Sequence, residues 1–254
     1  MRSYSAFTQV TLAWIAAAAQ VQAQHRHGVT ERISIVNGIE ADDWSGAAVL
    51  SADGRFVAFR SGASNLVEND TNGVADIFVA DRAMRTVTRI SVSSSGEQAD
   101  EGCGNCSISA DGQLVAFSSA ATNLVADDGN GAADVFVHDR RTGQTMRSSV
   151  HSNGEEGNGD SSLPAVSADG RFVAFQSRAT NLVRGRTFVQ QVFVHDLHRR
   201  RTEILSVSST GEYADDYSYR PSLSADGRYA AFSSSADNLF EGDLNDTKDV
   251  FVRD

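Results

Sequence analysis

The sequence predicts an all-β protein, a β-propeller of four-stranded antiparallel blades, on three observations. The phrase SADG-x-x-x-AF begins at Ser51, Ser109, Ser167 and Ser224, spacings of 58, 58 and 57 residues. A second phrase, D/Q-I/V-F-V, follows each copy at Asp76, Asp134, Gln191 and Asp249. After the N-terminal apolar run, no stretch carries a helical period. A fixed repeat of this length, made of short β-prone runs, is the signature of a propeller in which each unit is one blade.

Residues 1–23 read as a secretory leader: Met1-Arg2, a mostly apolar run from Ala6 to Val21, and Val21-Gln22-Ala23 as the cleavage signal. The run is shorter than the roughly 20 apolar residues of a membrane span, and it holds Gln9 and Gln20. No cysteine follows the cleavage point to carry a lipid. A periplasmic or secreted location is expected, with 24–29 a short leader and 30–254 the propeller. The formal net charge of −11 becomes −12 when Arg2 leaves with the leader. Such a surface repels phosphate backbones, which excludes nucleic acid as a partner.

Within each unit, strand one ends at an Asp-Gly turn (Asp53-Gly54, Asp111-Gly112, Asp169-Gly170, Asp226-Gly227) and strand two leaves it. Strand two, such as Arg55 to Phe59, is apolar on both faces, as a sheet stacked between other sheets requires. Strand three is the D/Q-I/V-F-V run. Strand four is expected at Thr88–Val92, Met146–Val150 and Glu203–Val207. The two prolines, Pro164 and Pro221, share one slot, read as the start of strand one, where no ladder donor is needed. The fourth unit reaches only its third strand at Asp254, while Thr30 to Val36 is an orphan fourth strand. Two readings stand: a four-bladed ring closed by that strand, or an arc of a larger ring.

The SADGR-hydrophobic-A-F phrase and the DVFVxD strand resemble the WD-like β-propeller repeats of the TolB type, over about residues 30 to 254. The resemblance implies a periplasmic protein that binds other proteins, or a non-catalytic domain attached to a peptidase. It implies binding more than chemistry.

Catalytic motifs are scarce: there is no G-x-S-x-G elbow, no H-E-x-x-H and no phosphate-binding glycine loop. His138 and His195 share one slot at the end of strand three, filled elsewhere by Ala80 and Arg253, and read as solvated edge positions. Cys103 and Cys106 form a lone C-x-x-C. Outside the cytosol they read as a short disulfide or a reduced pair, in preference to a redox centre or half a zinc site. The pattern Asp70-x-Asn72-x-x-x-Asp76 returns as Asp128, Asn130, Asp134 and as Asp243, Asn245, Asp249, but not in unit three. It reads first as turn capping. Weak calcium binding is the alternative, since the alternating oxygen donors match only the opening of a calcium loop.

The loops joining strands two to three, and four to the next unit, should emerge at one end of the blades. There acids such as Glu68, Glu97, Asp127, Glu155 and Glu212 outnumber the bases Arg178, Arg184, Arg186, Arg220 and Lys248. This end is the expected binding face for a protein or peptide, a basic segment of which its charge would attract. Candidate anchors are Trp44, Arg184, Arg186, Phe188, Tyr213, Tyr217 and Tyr219, since arginine and aromatic residues dominate interface hot spots. The expected function is a non-enzymatic exported scaffold with no required cofactor. The rivals are a metal-dependent propeller enzyme of the polysaccharide-lyase kind, a peptidase-associated fragment, and a calcium-stabilised structural propeller.

Overall fold

A tight hairpin opens the folded region, β1 (Ile35–Val36) and β2 (Ile39–Glu40), turned by Asn37 and Gly38 with φ of 54° and 80°. The computed structural model describes residues 28–254 other than Arg186 and Asp246, so the leader 1–23 lies outside the described residues. Arg32–Asp254 forms one compact unit. Blade 1 comprises β3 (Ser45–Leu50), β4 (Phe56–Ser61), β5 (Asp76–Asp81) and β6 (Thr86–Arg89). Blade 2 comprises β7 (Cys103–Ile108), β8 (Leu114–Ser119), β9 (Asp134–Asp139) and β10 (Gln144–Arg147). Blade 3 holds β11 (Ser161–Val166), β12 (Phe172–Ser177), β13 (Gln191–Asp196) and β14 (Arg201–Ile204), and blade 4 holds β15 (Ser218–Leu223), β16 (Ala230–Ser234) and β17 (Asp249–Arg253). Each is an antiparallel sheet with strands in sequence order.

The repeated phrase is explained at its turn. Ser51 Oγ donates to Asp53 Oδ1 at 2.6 Å and accepts from Phe56 N–H at 2.9 Å, while Arg55 N–H donates to the same carboxylate. The same three bonds recur at Ser109, Ser167 and Ser224. The two phenylalanines of the phrases meet across strands two and three. Phe59 faces Phe78 with ring centroids 5.8 Å apart, and Phe117–Phe136, Phe175–Phe193 and Phe232–Phe251 repeat the pair. These rings and the Val, Ile and Ala residues between them form the core between blades.

Consecutive blades are joined by a recurring set of contacts. Ala52 N–H donates to Ala110 C=O, Ala110 to Ala168, and Ala168 to Ala225, at 2.9, 3.0 and 3.1 Å. The turn glycines of blades 2, 3 and 4 also lie on the side chain that follows the preceding blade's turn. A Cβ on Gly112 would stand 2.2 Å from Phe56, on Gly170 2.9 Å from Leu114, and on Gly227 2.3 Å from Phe172. Glycine is required there by contact as well as by φ.

Two expectations are corrected, and of the two ring readings the open arc is the one observed. Strand four ends earlier than expected, because Ser91, Ser149 and Ser206 turn their hydroxyls to the N–H groups of Ile77, Val135 and Val192 instead of continuing the ladder. Pro164 and Pro221 sit inside β11 and β15, at the bulges between Ser162 and Ala165 and between Tyr219 and Ser222; an edge-strand bulge needs no donor. Thr30 to Val36 does not complete blade 4: within it only Ile35–Val36 is a strand, paired with β2, and among the described residues β17 pairs with β16 alone. The arc is open.

Candidate functional site

The ladders place the start of strand one, the end of strand two and the start of strand three at one end of each blade, as Ser45↔Ser61 and Ser61↔Asp76 show in blade 1. The loops of the two-to-three and inter-blade connections therefore share that end. One clip repeats there: Asp42 binds Ser64 through its N–H and hydroxyl at 2.8 and 2.7 Å, and Asp100 binds Thr122 in the same way. Asn65, Asn123, Asn181 and Asn238 each donate back to the inter-blade segment, at 2.8 Å in every blade. Part of the acid at this end is thus committed to fastening loops.

The Asp-x-Asn-x-x-x-Asp segments are tied to an arginine that sequence reading did not single out. Arg89 lies between Asp70 (3.1 Å) and Asp76 (3.6 Å), all three side chains buried. Arg147 lies between Asp128 (3.6 Å) and Asp134 (3.5 Å) and also pairs with Glu156. Asn72 donates its Nδ2 to both Asp76 and Ala99 C=O at 3.0 Å, and its Oδ1 accepts from Val74 N–H. Asn130 does the same toward Asp134, Gly157 C=O and Ala132 N–H. The amide thus turns its hydrogens, not its oxygen, toward the carboxylates. Burial pushes the Asp70, Asp76 and Asp134 carboxyls above their ordinary value and Asp128 up to about 6. The carboxylates of Asp128, Asp134 and Glu156 lie within 4.8 Å of one another. A cation bound among them would have to displace the Arg147 guanidinium.

Blade 3 replaces the whole arrangement. Gln191 stands in the strand-three slot of Asp76, and Ile204 in the strand-four slot of Arg89. Gln191 Oε1 accepts from Ser206 at 2.5 Å and its Nε2 reaches Ala214 C=O at 2.7 Å, so the buried polar bonds survive without charge. In blade 4, Asn245 reaches Asp249 at 3.3 Å and caps Thr247, and no arginine among the described residues stands between Asp243 and Asp249.

His138 and His195 are buried, which corrects their reading as solvated edges. Their Nδ1 atoms meet Thr145 and Thr202 hydroxyls at 2.9 and 2.8 Å. Those threonines in turn donate to Val92 and Val150 C=O in the inter-blade segments. Burial holds the His138 imidazole below its ordinary value and His195 down to about 4. Cys103 and Cys106 are both buried and unbonded to each other, the reduced form of the two that the sequence left open. A bulge separates their ladder positions, opposite Ser119 and Phe117, and Cys106 Sγ turns to Ala47 C=O at 3.6 Å. Burial pushes each thiol up to about 12.

The structure divides the predicted anchors into three groups. Tyr213 donates its hydroxyl to Arg184 C=O at 2.7 Å, and Phe188 on the same loop is 84% exposed. Tyr217 and Tyr219 stack with centroids 6.1 Å apart, and Lys248 Nζ lies 4.3 Å from the Tyr219 centroid. Trp44 occupies in blade 1 the slot that Tyr217 occupies in blade 4, and Arg60 covers its ring at 4.8 Å. Arg186 lies outside the described residues. A cleft of about 410 Å³ opens beside Arg184, lined also by His151, Asn153, Val183, Arg201 and Thr202. Sequence alone did not pair Lys248 or Arg60 with these rings; both are cations placed over aromatic faces.

No protein-family model matches the chain. No curated protein sequence matches it. Among solved structures, TolB from Acinetobacter baumannii superposes with a TM-score of 0.50 at 20% identity, over 84% of this chain and 41% of that one. A structure described as one of two prolyl endopeptidases superposes with a TM-score of 0.50 at 15% identity, over 83% of this chain and 28% of that one. The chain therefore has a TolB-like β-propeller fold and spans less than half the length of either structure. Among the described residues no helix is long and apolar enough to cross a membrane.

Proposed function

We propose that this chain is an exported, non-catalytic propeller scaffold that binds a protein or peptide through the loop end of blades 3 and 4. The observation that carries the reading is the contrast between committed and uncommitted groups. The buried carboxylates, histidines and thiols are absorbed by arginines, threonines and packing. Exposed aromatic groups, Phe188 and Tyr217 among them, stand on loops of a rigid sheet scaffold. Rigid aromatic side chains near cations supply contact area at low entropy cost. The leader and the repeat resemblance support export.

The test is crosslinking of a tagged chain in a periplasmic extract, beside a Phe188→Ser/Tyr217→Ser variant, with captured proteins identified by mass spectrometry. A partner recovered with the parent and lost with the variant is the expected result. Turnover of a small substrate by the purified chain, with equal capture by parent and variant, would overturn the proposal.

A further inference from the structure

A groove recurs where the turn that leaves one blade meets the two-to-three loop of the next. Between blades 1 and 2 it measures about 520 Å³, and Ser93, Ser95, Glu97, Val125 and Ala126 line it. Between blades 2 and 3 it measures about 410 Å³, and His151, Asn153, Val183 and Arg184 take the slots of Ser93, Ser95, Val125 and Ala126. Both grooves lie inside joints between four-stranded blades. The slot of Arg184 holds Glu68 in blade 1 and Glu241 in blade 4, so this groove alone gains a cation there.

The substitutions keep the turn and change what it offers. In blade 1 the Ser93 hydroxyl accepts from Ser95 and Glu97 N–H at 3.2 and 3.1 Å. In blade 2 His151 Nδ1 accepts from Asn153 N–H at 3.2 Å, and Asn153 Oδ1 accepts from Glu155 N–H at 2.9 Å. Both acceptors are thereby spent, so the neutral ring carries its hydrogen on Nε2 and the amide keeps its Nδ2 hydrogens. Neither these hydrogens nor the Arg184 guanidinium have a protein partner among the described residues. Ser152 and Thr202 bond to each other across the joint, and Arg201 is paired with Glu203 at 2.7 Å. Arg184 is held in place from both sides. Val183 packs on the core of blades 2 and 3, Tyr213 donates to Arg184 C=O at 2.7 Å, and the buried Thr187 hydroxyl donates to Ala179 C=O at 3.0 Å.

We propose that the cleft between blades 2 and 3 binds a carboxylate, supplied by an acidic side chain of the protein or peptide partner. The source of the carboxylate rests on the function proposed above; the site itself does not. A cleft whose unspent polar groups are all donors selects a ligand made of acceptors. One permanent positive charge, with neutral donors beside it, matches a single negative charge shared by two oxygens, which the guanidinium fork can meet together. A phosphate monoester, at about −1.5 to −2, would be left undercompensated. A volume of about 410 Å³ falls within the range of ligand pockets and admits an acidic side chain with its own backbone. The counterpart groove between blades 1 and 2, lined by Glu97 and no cation, serves as the internal control.

NMR titration of the full chain with three probes tests the proposal: N-acetyl-aspartate N-methylamide, its asparagine counterpart, and acetate. The aspartate probe should shift the side-chain resonances of His151 and Arg184 saturably at millimolar concentration, and the asparagine probe should bind at least about tenfold more weakly. Arg184→Gln and Asn153→Asp should each weaken the aspartate probe by about tenfold or more. The second variant keeps the acceptor that Glu155 N–H requires and adds a negative charge, so its loss is not one of folding; circular dichroism checks both. Equal shifts from the aspartate and asparagine probes, or undiminished binding in both variants, would overturn the site. Acetate binding as tightly as the aspartate probe would uphold the carboxylate and overturn the peptide as its source. The Phe188→Ser/Tyr217→Ser variant separates the two proposals, since it should keep the probe affinity of the parent. Absent probe binding beside intact partner capture counts against this site alone, and intact probe binding without a captured partner counts against the scaffold function alone.

Discussion

Replacing Arg147 by alanine is the most direct probe of how the buried charges are used. The substitution leaves Asp128, Asp134 and Glu156 within 4.8 Å of one another with no guanidinium among them. At that separation and an effective dielectric near 20, each pair of carboxylates repels by about 3 kcal/mol. Removing one side of a buried ion pair costs about 3–5 kcal/mol. That loss is a large share of the ~5–15 kcal/mol that holds a typical domain together.

The pH dependence identifies the cause. Asp128 already has a folded-state value of about 6, raised by burial above the ordinary 3.8. Between those values the folded state binds more protons than the unfolded one, so this group's contribution to stability falls as pH rises through the window. Without Arg147 the carboxyls are raised further and the window extends upward. The deficit of Arg147→Ala, measured by urea unfolding, should therefore be largest near pH 7 and shrink by about 1 kcal/mol or more near pH 5. Arg147→Ile combined with Asp134→Gln, which copies blade 3, should recover part of the loss at neutral pH. A deficit below about 1 kcal/mol, or one equal at both pH values, would refute the argument.

Three further outcomes are expected. His195 is neutral and buried with a folded value of about 4 against the ordinary 6.5, so its contribution is complete above the unfolded value and is lost as pH falls toward about 4; NMR should show its ring unprotonated at pH 5.5, a condition about midway in that window, and a ring titrating near 6.5 would be contrary. Gly131→Ala, at φ 64° in open space, should cost about 1–2 kcal/mol. Gly112→Ala, whose Cβ would strike the Phe56 ring, should cost about 1–3 kcal/mol more in thermal or urea unfolding, and equal losses would discount the inter-blade contact. Cys103 and Cys106 should label with a thiol reagent only as fast as the protein unfolds, because each thiol is buried and held near 12; rapid labelling of the native chain would show otherwise.

The turn and the strands were legible because their signals are local. Ser, Asp and Gly lie within four consecutive positions, and the two phenylalanines fall on runs whose pairing follows from the hairpin order. The partners of the buried groups were not local. Asp76 and Arg89 stand on different strands, and neither residue type signals burial alone. The signal was present in comparison between repeats: Asp and Arg occur together in blades 1 and 2, and Gln and Ile replace them together in blade 3. The histidines follow the same logic. His138 faces Thr145 and His195 faces Thr202, whereas Ala80 faces Val87. The histidine slot is variable only when one half of each pair is taken without the other.

Paired substitution separates scaffold from function in a repeat protein. A difference between blades that is matched by a second difference across the ladder preserves packing, and it needs no ligand to account for it. Gln191 with Ile204, and Ala80 with Val87, are of this kind. The loop from Arg184 to Phe188 is not: it is one residue shorter than its counterparts and carries an exposed phenylalanine, and among the described residues no compensating change covers that ring. Tyr217 and Tyr219 likewise stack on each other at the blade end rather than within a core, in slots held by Gly102 and Gly104 in blade 2. Unmatched aromatic differences concentrated on two neighbouring blades favour that end of the propeller as the contact surface, and Trp44, 48% exposed with Arg60 over one face of its ring, stands apart from them in blade 1.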